Sequence, residues 1–363
     1  MAGVNNRVGY IDALRGLTMI LVVFSHIYIP NESPLNQFFI LFRMPLFFFI
    51  SGYLSFRSEQ SWSGTELRSR LGGKVRTMIL PATIVAMLYA LVNDSVSAVG
   101  FFIYPAKIGY WFTFALFNML VIYYVARYLH SRRTHVSLKL FAKRFYVVSL
   151  LCFIALSDLR SLGWVDTTFA LAMTFKYMHY FAFGLLCRCN KEWFESILDN
   201  GAKMAIIVAG LFILAFWVVT LRENMDVATT YLSRKSISII SSAIKALAGY
   251  FGIMTVYGFF RRFSTFFAES RVGKAMQFVG RNTLDVYLIH FFVLIGMPTL
   301  LYPYIVDTTN ILSQLVVGLS VAVAIVALSL LISRIIRLSD YLAYYILGAR
   351  DVKLTISSKR SNN

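Results

Sequence analysis

Charged residues are scarce in this chain. Asp, Glu, Lys and Arg make up 14% of its 363 residues, against roughly 25% in soluble domains. Set against 58% AVILMFWYC, that shortage excludes a soluble protein. Acidic residues are the scarcer sign, 17 against 35 basic, which leaves a net charge of +18. In a soluble protein such an excess suggests nucleic acid. In a membrane protein it marks cytoplasmic loops, so no nucleic-acid partner is expected. Cysteine is also rare. Cys152, Cys187 and Cys189 are too few for a disulfide framework, and the Cys187-Arg188-Cys189 spacing has no nearby histidine, so no metal is expected. Neither an internal repeat nor a long soluble extension is visible. The first apolar stretch carries Asp12 and Arg15 and lacks a small-residue cleavage site before Pro30, so it reads as a retained helix rather than a signal peptide.

What is abundant is apolar length. Ten stretches stand out: 9–29, 36–56, 75–93, 109–129, 145–157, 166–186, 203–220, 237–260, 283–302 and 310–333, the fifth being short for a crossing. With the N-terminus inside, 26 basic residues fall on the cytoplasmic side and 5 outside (Lys107, Arg160, Arg222, Arg234 and Lys235), while Arg15, Arg43, Lys176 and Lys245 lie within spans. This split predicts an all-α integral membrane protein of about ten transmembrane helices with both termini cytoplasmic. Residues 1–340 read as one membrane domain. Residues 341–363 read as a cytoplasmic basic tail, a surface helix followed by disorder.

Ionisable groups inside a bilayer are costly and mark sites by default. Arg15 and His26 are eleven positions apart, which at about 100° and 1.5 Å per residue is three turns plus roughly 20° and a rise of about 16 Å. They therefore share a helix face, with Arg15 toward the cytoplasm, His26 toward the outside, and Asp12 available to pair with Arg15. Arg43 sits at a depth close to His26 in the antiparallel second stretch. It can bind an anion or stabilise an oxyanion, or it can pair with a carbonyl exposed by Pro45. His290 falls about two turns into the ninth stretch, after Thr283 as a candidate N-cap. Lys176, His179 and Arg15 are at comparable depth, which suggests one cytoplasm-facing polar cavity, although His179 reads rather as a packing histidine at a helix end, and Lys176 and Lys245 read equally as snorkelling cations. Lys74 and Arg76 at the mouth of such a cavity suit a phosphate-bearing ligand, and plain positive-inside usage explains them as well.

Several blocks together carry a family likeness. Ile11-Asp12-Ala13-Leu14-Arg15-Gly16 with His26 ten intervening residues after Arg15, and Phe42-Arg43-Met44-Pro45-Leu46-Phe47-Phe48-Phe49-Ile50-Ser51-Gly52, resemble the acyltransferase-3 family of integral membrane acyltransferases. Trp111-Phe112 and Gly280-Arg281-Asn282-Thr283-Leu284-Asp285-Val286-Tyr287-Leu288-Ile289-His290 fit the same pattern. The resemblance covers essentially the whole chain and implies an acyltransferase domain of ten spans in a bacterial inner membrane. It implies transfer of an acyl group, most often acetyl from cytoplasmic acetyl-CoA, to a hydroxyl of a cell-envelope carbohydrate such as O-antigen, capsule or exopolysaccharide, free or lipid-linked. Arg15 and His26 match the family's essential arginine-x10-histidine motif, and Lys74-Val75-Arg76 matches its second basic motif with lysine in a place where arginine is common. A glutamate that some members carry after the tryptophan is absent from Trp111-Phe112-Thr113-Phe114-Ala115-Leu116-Phe117-Asn118. The chain is in this respect similar to the fucose or polysaccharide O-acetylase branch.

On this reading His26, Arg15 and Arg43 are the catalytic candidates, His26 as base or transient acyl carrier. Arg15, Lys74, Arg76 and, in second place, His290 are the candidate contacts for CoA, a co-substrate rather than a bound cofactor. A transporter or flippase of lipid-linked sugars is the competing class. It predicts paired helix breaks in corresponding halves, a pattern that Pro45, Pro81 and Pro298 give only weakly.

Overall fold

The computed structural model describes residues 9–27, 33–58, 62–92, 107–132, 137–156, 169–223, 233–295, 301–305 and 308–349. Pro30, Arg7, Arg133, Arg160 and the tail beyond Ala349 lie outside these residues, as do the side chains of Arg222, Arg234 and Lys235. The described residues contain helices and no strand. In chain order the helices are α1 (Gly9–His26), α2 (Pro34–Ser55), α3 (Gly64–Lys74), α4 (Leu80–Val92), α5 (Trp111–Ser131), α6 (Leu138–Leu156), α7 (Leu171–Cys189) and α8 (Lys191–Leu198). They continue as α9 (Gly201–Glu223), α10 (Arg234–Arg262), α11 (Ser264–Glu269), α12 (Arg271–Arg281), α13 (Thr283–Ile295), α14 (Tyr302–Ile305), α15 (Ile311–Ile336) and α16 (Asp340–Leu347).

Each of the ten apolar stretches forms helix over most of its described residues. Six segments are long and apolar enough to cross a membrane: α2, the continuous Gly64–Val92, α5, α9, α10 and α15; the bent pair α12–α13 makes a seventh. This is a multi-pass membrane protein. The other helices of spanning length, α1, α6 and α7, are 18, 19 and 19 residues long, and they are the ones diluted by Asp12 and Arg15, by Lys139, Lys143 and Arg144, and by Lys176 and Arg188. The expected short fifth stretch is lengthened because its helix starts at Leu138 and takes in three cations. Outward faces are apolar: Ile206, Phe212, Phe216 and Trp217 on α9 and Leu312, Val316, Leu331 and Ile335 on α15 are exposed, as lipid requires.

Lipid gives no hydrophobic push between helices, so close packing through small residues must hold them. α1 is the hub, against α2, α12, α13 and α15. Where it meets α12, a Cβ on Gly280 would collide with the Asp12 carbonyl oxygen and one on Gly16 with the Met276 carbonyl oxygen. The two backbones therefore touch. α2 and α7 repeat the arrangement, Gly52 against the Phe181 carbonyl and Gly184 against that of Phe49.

Two breaks shape the bundle. Pro81 lacks the N–H that would bond the carbonyl four residues back, and the preceding turn Val75–Ile79 opens into a π-helix. Between α12 and α13 the axis turns by 83° at Asn282, whose side chain donates to the Phe278 carbonyl at 2.8 Å and so competes with the helical ladder. Beyond α15 the chain folds back: α16 packs on α4, and Gly348 closes it in the left-handed conformation, φ 61°, with the Ala349 N–H bonded to the Ala343 carbonyl.

Two cations counted as loop charges are interior. Arg127 is buried beneath Trp62 and Phe141, with its guanidinium carbon 5.9 and 5.8 Å from their ring centroids, and Lys107 is also buried. At the α8–α9 corner, Arg261 grips Glu195 and Asp199 at 2.8 Å each. Its guanidinium holds the Asp199 carboxyl below the usual carboxylate range.

Candidate functional site

Two polar groupings lie at different levels along α1. The first is a cavity of about 710 Å³ at the end of the bundle where α1 begins and α2, α3 and α15 finish. Its walls carry five cations, Arg15, Arg57, Lys74, Arg281 and Arg337, and a single carboxylate, Asp285, among the described residues. Arg15 donates from Nη2 to Thr283 Oγ1 at 3.0 Å and lies 3.7 Å from Asp12, the expected partner. Thr283 is the first residue of α13, and its hydroxyl meets Arg15 rather than acting as the anticipated cap. Asp285 accepts from Ser333 Oγ and from Arg337 Nε and Nη2 at 3.2 and 2.8 Å.

The π-turn divides Lys74 from Arg76. Lys74 lines the cavity. Arg76 donates to the Ala349 carbonyl at 3.2 Å and lies 5.0 Å from the Tyr344 ring centroid, which ties it to the segment that supplies Leu347, Gly348 and Ala349 to the wall.

The second grouping surrounds His26. Its ring lies 5.4 Å from that of His290 and 4.9 Å from Phe291. None of these neighbours is a carboxylate. His290 thus belongs with His26 and not with Arg15, because α13 is anchored to Arg15 at its first residue and reaches the level of His26 two turns later. Both the Val286 and Tyr287 carbonyls, at 3.1 and 2.9 Å, face His290 Nδ1. Carbonyls only accept, so Nδ1 carries the proton and Nε2 of the neutral ring is the acceptor. Nε2 is buried with no hydrogen-bond partner among the described residues, and so is Nη1 of Arg43.

The groupings meet at Tyr287, which lines the cavity and has its ring centroid 6.0 Å from that of His290. α5 is held against this point from both sides: Tyr287 donates to the Gly109 carbonyl at 3.2 Å and Tyr110 to the Leu288 carbonyl at 2.9 Å. Gly109 has φ 91°, and a Cβ there would strike the Phe291 ring. That turn delivers Trp111, stacked on Tyr177, and Phe112, which packs on Phe47, Phe48 and Tyr287.

Lys176 and His179 were expected in the same cavity as Arg15. Neither lines it. Lys176 lies over Tyr177 at 5.2 Å, and His179 is buried with Nδ1 2.7 Å from the Tyr250 hydroxyl, which accepts from Tyr146. No cluster of three or more His, Cys, Asp or Glu suited to a metal occurs among the described residues. Sequence reading passed over Asp285 and Arg337 as a pair and Tyr287 as the hinge between levels. Asp285 could have been found as a charge within an apolar stretch, whereas the backbone wall 347–349 leaves no mark in composition.

No curated protein and no solved structure matches the chain significantly. The profile of a family described as an acyltransferase domain matches residues 8–334, and that span contains Arg15, His26, Arg43, Lys74, Arg76 and His290. The chain therefore belongs to the acyltransferase-3 family and is a membrane acyltransferase.

Proposed function

We propose that the protein moves acetyl from cytoplasmic acetyl-CoA to a hydroxyl of a cell-envelope carbohydrate, as an O-acetyltransferase of ten crossings in a bacterial inner membrane with both termini inside. One observation carries this reading: Arg15 and His26 lie on one face of α1, with Arg15 in a cavity lined by five cations and His26 beside His290 past Tyr287. A cationic cavity suits the phosphates of CoA. The roughly 16 Å rise between the two residues is within reach of its pantetheine arm. The thioester carbonyl is thereby delivered to His26 while the nucleotide stays on the cytoplasmic side.

His26 takes the proton of the sugar hydroxyl as it attacks the thioester carbonyl, and returns it to the CoA sulfur as the C–S bond breaks, so that CoA leaves as the thiol. Alternatively its imidazole displaces CoA thiol, carries the acyl group and gives it to the hydroxyl, either role being open to imidazole near neutral pH. His290 presents its Nε2 lone pair beside it. Arg43, with Nη1 unpartnered, stabilises charge on the acceptor or on the oxyanion. Lys74 and Arg15 hold the donor, and Arg76 braces the wall.

Membranes incubated with labelled acetyl-CoA should transfer label to surface polysaccharide. A correctly inserted His26→Ala protein is expected to lose transfer by at least about 100-fold, the scale of general acid–base catalysis. Wild-type rates from that variant would overturn the assignment. A flippase of lipid-linked sugars, which the bent α12–α13 pair would suit, would show no labelled product.

A further inference from the structure

The cavity holds five cations and one carboxylate, and the arrangement around that carboxylate assigns a role to a residue outside the family match. A bare Asp285 in this wall would oppose any phosphate entering it. Its two partners come from the end of α15 and meet the same oxygen: Ser333 Oγ, and one turn later, at the helix C-cap, Arg337 Nε and Nη2 at 3.2 and 2.8 Å from Oδ2. Asp285 is almost wholly buried, whereas Arg337 is 41% exposed, so water screens the arginine far better than the carboxylate. Arg337 lies past residue 334, where the family match ends.

We infer that Arg337 is a positioning residue for donor binding: by masking Asp285 it keeps that carboxylate from repelling the phosphate-bearing nucleotide end of acyl-CoA in the cavity that Arg15, Lys74 and Arg281 line. The inference rests on the donor reading above and deepens it. Two other roles for Arg337 make different forecasts. As a direct phosphate ligand it would be needed whether or not Asp285 is charged. As a simple pin between α13 and α15 it would affect stability and leave the affinity of folded protein alone.

The test is equilibrium binding of radiolabelled coenzyme A to the full-length chain in detergent, at low and high salt. Arg337→Ala should weaken binding by about tenfold at low salt, an effect of one uncompensated charge that shrinks at high salt. Asp285→Asn placed in the same chain should restore affinity to within about threefold of wild type, since the two changes cancel each other's charge. Unchanged binding by Arg337→Ala, or a loss that Asp285→Asn does not rescue, overturns the inference. Should Arg337→Ala fail to fold, Asp285→Asn plus Arg337→Gln is compared with the wild type: affinity within about threefold supports masking, and a larger loss in the double variant overturns it. If the wild-type chain binds no coenzyme A, the donor reading falls and takes the inference with it.

Discussion

His290 shows how a helix can set the chemistry of its own side chain. Its Nδ1–H is committed to carbonyls one turn back, so the tautomer is fixed before any substrate arrives. His290→Ala should therefore lower turnover by about 100-fold while the apparent KM for the donor stays put, as measured by labelled transfer at varied acetyl-CoA. A change confined to KM would place His290 on the donor instead. The pairing of Arg15 with His26 was legible in the sequence because eleven residues of helix is local geometry. The neighbour of His26 was not, because the depth assigned to His290 depended on where α13 is pinned, and that is set by Thr283 meeting Arg15 across 268 residues. Thr283 itself reads in the sequence as a helix cap.

Among the elements, the segment after α15 departs most from its appearance in sequence. Residues 341–363 read as a basic tail, yet the described part packs on α4, accepts a hydrogen bond from Arg76 and lines the cavity up to Ala349. Removing everything after Ser339 should raise the donor KM about fivefold or more, the worth of one net hydrogen bond, in protein that still inserts. An unchanged KM would place the segment outside the donor site. Lys74 and Arg76 read in sequence as one basic motif, yet two positions of helix turn them roughly 200° apart, and they meet different partners. The 83° turn at Asn282 carried a weak signal, an asparagine in a run of helix formers.

For the whole molecule, hydropathy located the long apolar helices, because burial in lipid leaves a one-dimensional trace, and passed over short amphipathic ones such as α12. It was least informative where charged residues dilute that trace, in α1, α6 and α7. The ten-span arrangement can be checked in a cysteine-free background. Thr309→Cys should react with a membrane-impermeant maleimide on intact cells, and Lys191→Cys only after the membrane is opened; the reverse pattern would invert the topology. The charge ledger behind that arrangement is altered slightly, since Arg127 and Lys107 are interior. The seam where α1 lies backbone to backbone on α12 has a mechanical meaning. With Gly16 and Gly280 in contact, α1 can neither slide nor roll without carrying the corner at Thr283 with it. The helix is a ruler clamped at one end. One residue inserted between Arg15 and His26 would swing the imidazole about 100° off its mark. Four would bring it back to within about 40° but about 6 Å too far along. Neither chain would read the donor at the right length.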